Sequence, residues 1–199
     1  MYKYLFGSKL YGLTNSKSDE DYLIIFNTDS EKQEYVKNTN NKDEECWTWE
    51  EFKNYLEAHD LKALEIYYAN VGNVGTHLFI NCEEYQFRLN LQQLRKAVSA
   101  VVSNAHVKAK KKFKDQEIYT GLKSYYHCIR ILTMYNYLAK HHTFNPSNFK
   151  NELDYVYNDI VINSQSKNPE ELWFELESKY KYMLKSLQHT FKLYCPKDN

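Results

Sequence analysis

Glycine is scarce, with 5 in 199 residues. That excludes an architecture built on many tight turns and favours a helix-rich chain. The four cysteines, Cys46, Cys82, Cys128 and Cys195, lie far apart. No C-x-x-C pair exists, so zinc and redox motifs are unsupported and free cytosolic thiols are the plain reading. The apolar runs are too short to span a membrane, so no membrane partner is expected. Met1 leads into "YKYLFGS", which lacks the basic start, long apolar stretch and small-residue cleavage site of a secretory leader. The expected location is the cytoplasm, or the host cytoplasm for a viral chain. Net charge is absent as well, with 26 basic and 26 acidic residues. That argues against wholesale non-specific nucleic-acid binding but leaves a local patch open.

What is present is a sizeable apolar fraction, 43%, enough for a real core. Tyr2–Phe6 and Tyr22–Phe26 are short β-type runs bounded by Gly, Ser, Asn and Asp. The polar, Asn-rich stretch Asn27–Glu45 predicts a mobile connection. "ECWT" is a candidate third strand. Thr48-Trp49-Glu50-Glu51 matches a capping box and predicts a helix from Trp49 to about His59. Asp60 is a cap for a second helix, Leu61–Asn70. From about Glu83 apolar residues recur at spacings of three and four: Leu91, Leu94, Val98, Val101 and Ala105, then Ile118, Leu122, Tyr125, Ile129 and Leu132. Asn168-Pro169-Glu170-Glu171 opens a last helix reaching about Tyr194. The expected fold class is α+β, a small mixed-sheet core over 1–82 followed by an all-helical bundle over 83–199.

The stretch "YLFGSKLYGLTNSKSDEDYLIIF", Tyr4–Phe26, sets two aspartates at the mouth of an apolar strand. Residues two apart on a strand point to one face, so Asp19 and Asp21 project together and Glu20 points away. Two carboxylates about 4 Å apart repel by about 4 kcal/mol at an effective dielectric of ~20. A cation offsets that repulsion, and oxygen-only ligands suit Mg²⁺, which takes its remaining ligands from water and substrate phosphates. Gly7 and Ser8, just after the first strand, offer backbone N–H groups and a hydroxyl for a phosphate. A lone Ser-Asp-x-Asp is more often a solvated turn. Strand, Gly-Ser, ten residues, Asp-x-Asp and strand together are more specific.

With that spacing the segment resembles the nucleotidyltransferases of the DNA polymerase beta superfamily. A closer resemblance joins "FGSKLYGLTNSKSDEDY" to the predicted nucleotidyltransferases found beside RNA ligases and in phage genomes. "EECWTWEEFKNYL" and "LKALEIYYA" follow in that group's order, and "KSYYHCIR" carries its Lys-x-x-x-His-x-x-Arg pattern as Lys123, His127 and Arg130. The likeness spans about 4–140. It implies an NTP- and metal-dependent transfer of a nucleoside monophosphate to an acceptor hydroxyl. The cofactor would be Mg²⁺, with Mn²⁺ as a substitute, and the substrate an NTP, ATP by default. The acceptor is open among an RNA end, a protein and a small molecule, with RNA first by analogy. Asp19, Asp21 and a third acid would be catalytic and hold metal. Glu45 fits the third acid best by its distance to Phe52, with Glu44 and Asp43 as rivals. Gly7, Ser8, Lys9, Lys123, His127 and Arg130 would bind nucleotide. Two departures stand out: Lys9 replaces an arginine, which removes bidentate gripping, and Glu20 replaces an apolar residue. The alternative is an idle, antitoxin-like module holding a nucleotide or partner in the same cleft.

Lys123, His127 and Arg130 share one helix stripe, read either as a cationic wall or as a solvated face. The basic run "HVKAKKKFK", His106–Lys114, is more often a solvated helix end than a nucleic-acid contact. Trp47, Trp49, Tyr67 and Tyr68 read as core, Glu65 as an orienting helix residue, Cys46 as buried, and His141-His142 as surface. Oligomeric state is left open.

Overall fold

The structure is a computed structural model that describes residues 1–6, 21–39, 44–71, 79–80, 83–85, 87–163 and 168–197. These fold into two compact units. One comprises residues 1–89 with 143–148, and the other residues 90–142 with 149–199.

The first unit is built on a mixed three-stranded sheet. Strand β1 (Tyr2–Phe6) pairs antiparallel with β2 (Asp21–Phe26), and β2 pairs parallel with β3 (Glu44–Thr48). The central strand reads "DYLIIF", and Leu23, Ile24, Ile25 and Phe26 are all buried, as a strand covered on both faces requires. Helix α1 (Asp29–Asn38) lies against one face, where Tyr35 meets Phe26 with ring centroids 5.2 Å apart. Helix α2 (Trp49–Glu57) packs on the other face, where Phe52 and Tyr55 meet Trp47. Helix α3 (Leu61–Val71) covers the same face, with Lys62 over the Phe6 and Trp47 rings. A two-residue pairing of β4 (Phe79–Ile80) with β5 (Glu83–Glu84) completes the unit.

Helix α2 begins as its sequence dictates. Thr48 Oγ1 accepts from Glu51 N at 3.2 Å, and the Glu51 carboxylate accepts from Thr48 N at 2.7 Å. That reciprocal pair satisfies two orphan donors of the first turn. Asp60 Oδ1 caps α3, accepting from Lys62 N at 3.0 Å and Ala63 N at 3.1 Å.

One expectation is corrected. The described residues of Asn27–Glu45 are not a mobile connection: they form α1 and the first two residues of β3. Thr28 Oγ1 accepts from Glu31 N at 3.3 Å, and the Glu31 carboxylate accepts from Asn27 N at 3.1 Å. The Thr-x-x-Glu start resembles that of α2, but here the glutamate reaches the amide of the residue before the cap rather than that of the cap itself. None of the α1 residues is buried, so apolar periodicity could not announce the helix.

The second unit is helical. Helix α4 (Leu91–Lys114) turns through Asp115–Glu117 into α5 (Ile118–His141), and α7 (Pro169–Tyr194) packs on both. Helix α6 (Lys150–Tyr157) widens into a π-helical turn over Asn158–Ile162. Helix α5 carries Leu122, Tyr125, Cys128, Ile129 and Tyr135 fully into the core. Gly121 lets α4 approach closely, because a Cβ there would stand 2.9 Å from the Phe113 ring. Asn136 Nδ2 donates to Leu187 O at 2.9 Å and ties α5 to α7. Among the described residues, no helix is long and apolar enough to cross a membrane.

Candidate active site

Sheet register sorts the acids by face. Directly paired residues share a face in both kinds of pairing. Phe6 stands opposite Asp21, and Leu23 opposite Glu45. Asp21, Leu23 and Ile25 therefore share a face with Phe6, Glu45 and Trp47. Tyr22 stands opposite Glu44, so Glu44 belongs to the other face with Ile24 and Cys46.

The two neighbouring glutamates are held differently. Glu44 has a side chain only 6% exposed, and accepts from Lys3 Nζ at 2.7 Å and from Tyr35 Oη at 2.7 Å. The Lys3 ammonium also lies 4.0 Å from the Tyr22 ring centroid. Binding to Glu44 holds both the Lys3 ammonium and the Tyr35 hydroxyl above their usual pKa values. Glu45 is half-open, 40% exposed, and ion-paired with Lys62 from the first turn of α3. The Lys62 ammonium also sits 4.7 Å from the Phe6 ring centroid, next to the strand position that faces Asp21. Two residues' offset on adjacent strands puts the Asp21 and Glu45 Cα atoms roughly 8 Å apart. That is within side-chain reach of a shared or bridged cation. Both donors are carboxylate oxygens, so the described part of the set fits a hard divalent ion.

Gly7, Ser8, Lys9, Asp19 and Asp43 lie outside the described residues, and so does Cys82. Among the described residues, no group of three His, Cys, Asp or Glu side chains gathers as a metal cluster. Lys62 is a site residue the sequence reading passed over. Its signal was available: it stands two residues after the Asp60 cap, in the first turn of the second helix after the third-acid strand.

The helical stripe has a mixed character. Lys123 is exposed, with its ammonium 5.3 Å from the Tyr119 ring centroid, while His127 and Arg130 are half-buried. Burial holds His127 down to about 3, and the nearby Arg130 and Lys108 cations push in the same direction. At neutral pH this histidine is therefore an uncharged hydrogen-bonding group, and the stripe carries two cations. Trp47, Trp49, Tyr67 and Tyr68 are buried, and Glu65 is 6% exposed on α3. Cys46 is half-buried, and that burial raises its thiol pKa. His141 and His142 are exposed at the end of α5, where His142 takes a left-handed conformation, φ 55°.

A family model described as the RNA repair pathway DNA polymerase beta family matches residues 1–168. No curated protein and no solved structure gives a significant match. The matched span takes in the whole three-stranded sheet and the helices through α6 and ends just before α7. With a mixed sheet that aligns Asp21 and Glu45, and a match over most of its length, the chain belongs to the RNA repair pathway DNA polymerase beta family.

Proposed function

We propose that this chain is a metal-dependent nucleotidyltransferase that moves a nucleoside monophosphate from an NTP to an acceptor hydroxyl and releases pyrophosphate. The observation that carries the reading is the shared face of Asp21 and Glu45, with Glu44 turned away and engaged by Lys3 and Tyr35. Asp19, outside the described residues, joins Asp21 in this proposal through the Asp-x-Asp spacing of the sequence. Asp19, Asp21 and Glu45 would hold the divalent ion. When bound, Mg²⁺ or Mn²⁺ would neutralise charge on the attacking and leaving oxygens of the transfer.

The acceptor oxygen attacks the α-phosphorus, and the bond from that phosphorus to the bridging oxygen of the β-phosphate breaks. Glu45, the more open of the two glutamates, draws the acceptor proton. Ser8 and the Gly7 backbone hold the outgoing phosphates, with the Lys9 charge beside them. Lys62 neutralises Glu45 while nucleotide and metal are absent, which relieves carboxylate repulsion on that face. The Lys-x-x-x-His-x-x-Arg pattern supports a nucleotide-binding role for Lys123, His127 and Arg130, with His127 as an uncharged hydrogen-bonding group. ATP is the default substrate.

The test is incubation with each NTP in Mg²⁺ or Mn²⁺ across oligoribonucleotide, protein and small-molecule acceptors, followed as pyrophosphate release. Release that disappears in Asp19→Asn and Asp21→Asn is the expected result. Undiminished release in those variants overturns the assignment. NTP binding with no turnover on any acceptor assigns the idle binding module instead.

A further inference from the structure

The basic run at the end of α4 is part of a longer feature. Helix α4 holds seven Lys and Arg and no Asp or Glu over its 24 residues. It runs antiparallel to α7, with its start fixed to the end of α7: the Arg95 guanidinium donates to Cys195 O at 2.7 Å. A chain of cavities follows the crevice between the two helices. The one at the α4 C-terminus, about 530 Å³, is lined by Lys110 and Lys114 over Phe113 and Trp173. Its size is in the range that holds a small ligand or a nucleotide unit. The next cavity brings in Lys181 and Lys185, the following one Lys192, and the last Lys96 and Lys197 beside Arg95. The last three cavities share walls: Val102, Ser103 and Gln188 between the second and third, and Ser99 between the third and fourth.

Charge in this crevice is unbalanced. Lys3, Lys32, Lys62, Lys112 and Lys179 each sit in an ion pair. The seven crevice lysines have no ion-pair partner among the described residues. Glu177 is the one acid in the described lining, and it is engaged with His106 Nε2 at 3.2 Å. A neutral protein that concentrates seven unpaired ammonium groups along one crevice presents a polyanion site.

Aromatic rings accompany the cations. Phe174 is 75% exposed and lies 7, 11 and 18 residues before Lys181, Lys185 and Lys192, so all four share one stripe of α7. Tyr182, 80% exposed, flanks that stripe. Phe113 and Trp173 meet edge to face at 5.3 Å in the first cavity. Cations that follow a backbone, with rings on which bases stack, are the chemistry of single-stranded nucleic-acid binding. Helix α4 lies within the family match, whereas α7, which supplies Lys181, Lys185 and Lys192, begins where that match ends.

We infer that the α4–α7 crevice binds a single-stranded polynucleotide, its phosphates on Lys110, Lys114, Lys181, Lys185 and Lys192 and its bases on Phe174 and Tyr182. The inference deepens the transferase reading by naming a polynucleotide as the acceptor, and in that respect rests on it.

The test is fluorescence anisotropy with a labelled oligoribonucleotide and its deoxyribonucleotide counterpart, both single-stranded, without NTP or divalent metal. Wild type binds one or both strands, with a salt slope falling by about 0.7 for each neutralised phosphate contact. The triple variant Lys110→Gln, Lys114→Gln, Lys185→Gln loses at least tenfold in affinity and flattens the slope by about 2. A control triple of equal charge change, Lys37→Gln, Lys140→Gln, Lys150→Gln, leaves binding unchanged. Phe174→Ala with Tyr182→Ala weakens binding without changing the slope. Equal losses in both triples, or binding of duplex only, overturn the inference. Asp21→Asn binds as wild type, so failure of the crevice and failure of the transferase reading show up in separate assays.

Discussion

Lys62 on α3 is ion-paired with Glu45 on β3, on the sheet face that also carries Asp21. One residue earlier, Glu44 points to the opposite face and is held by Lys3 and Tyr35. The two adjacent glutamates thus do different work, and each can be tested against the other.

Glu45→Gln should lower pyrophosphate release by at least about 100-fold, because a neutral amide is a poor ligand and no base. Glu44→Gln should leave turnover within a few-fold and lower stability by about 1 kcal/mol, since a part-buried charged acceptor is lost. Turnover assays and urea unfolding on both variants check this. Equal activity in both would remove Glu45 from the site.

Lys62→Met should make magnesium more stabilising than it is for wild type. The half-exposed ion pair itself is worth only about 0–1 kcal/mol. Without the ammonium, relief of the Asp21–Glu45 repulsion falls to the metal alone. The check is the rise in melting temperature on adding Mg²⁺ to each protein. A smaller rise in the variant contradicts the placement.

Stability should fall on acidification from pH 6.5 towards 3. The folded pKa of His127 is depressed, so below its ordinary 6.5 the unfolded chain binds a proton that the folded chain refuses. The loss grows as pH falls and is complete near 3, reaching about 2 kcal/mol at pH 5. His59, buried against Phe87, is shifted the same way by burial. His127→Gln should therefore reduce the slope without abolishing it, as read from urea midpoints across that range.

Thr48→Ala should cost about 1 kcal/mol, because the α2 cap loses the acceptor for Glu51 N. Thermal unfolding measures it, and Thr48→Ser should restore most of the loss. Gly121→Ala should cost about 1–3 kcal/mol, since its new methyl group forces the Phe113 ring to move.

Much of the fold was legible. The Thr48-x-x-Glu51 box, the Asp60 cap and the Pro169 start each carry their own hydrogen-bond logic within a single turn, so α2, α3 and α7 begin where the residues say. The long spacing-of-three-and-four runs likewise marked α4 and α5. Helix α1 was missed, although Thr28-Asp29-Ser30-Glu31 carries the same starting signal, because its surface lacks an apolar stripe.

Asp21 at the mouth of an apolar strand follows from the pattern of that one segment. The sequence by itself therefore determined where an acid stands at the mouth of the central strand and the local starts of the helices. Only the tertiary structure separated Glu45 from Glu44, since the choice rests on the register of β3 against β2, and a one-residue slip would exchange their faces. It alone also brought Lys62 to Glu45 and aligned the lysines of α4 and α7 along one crevice. These pairings join positions distant in the chain, and local periodicity carries no information about which surfaces pack together.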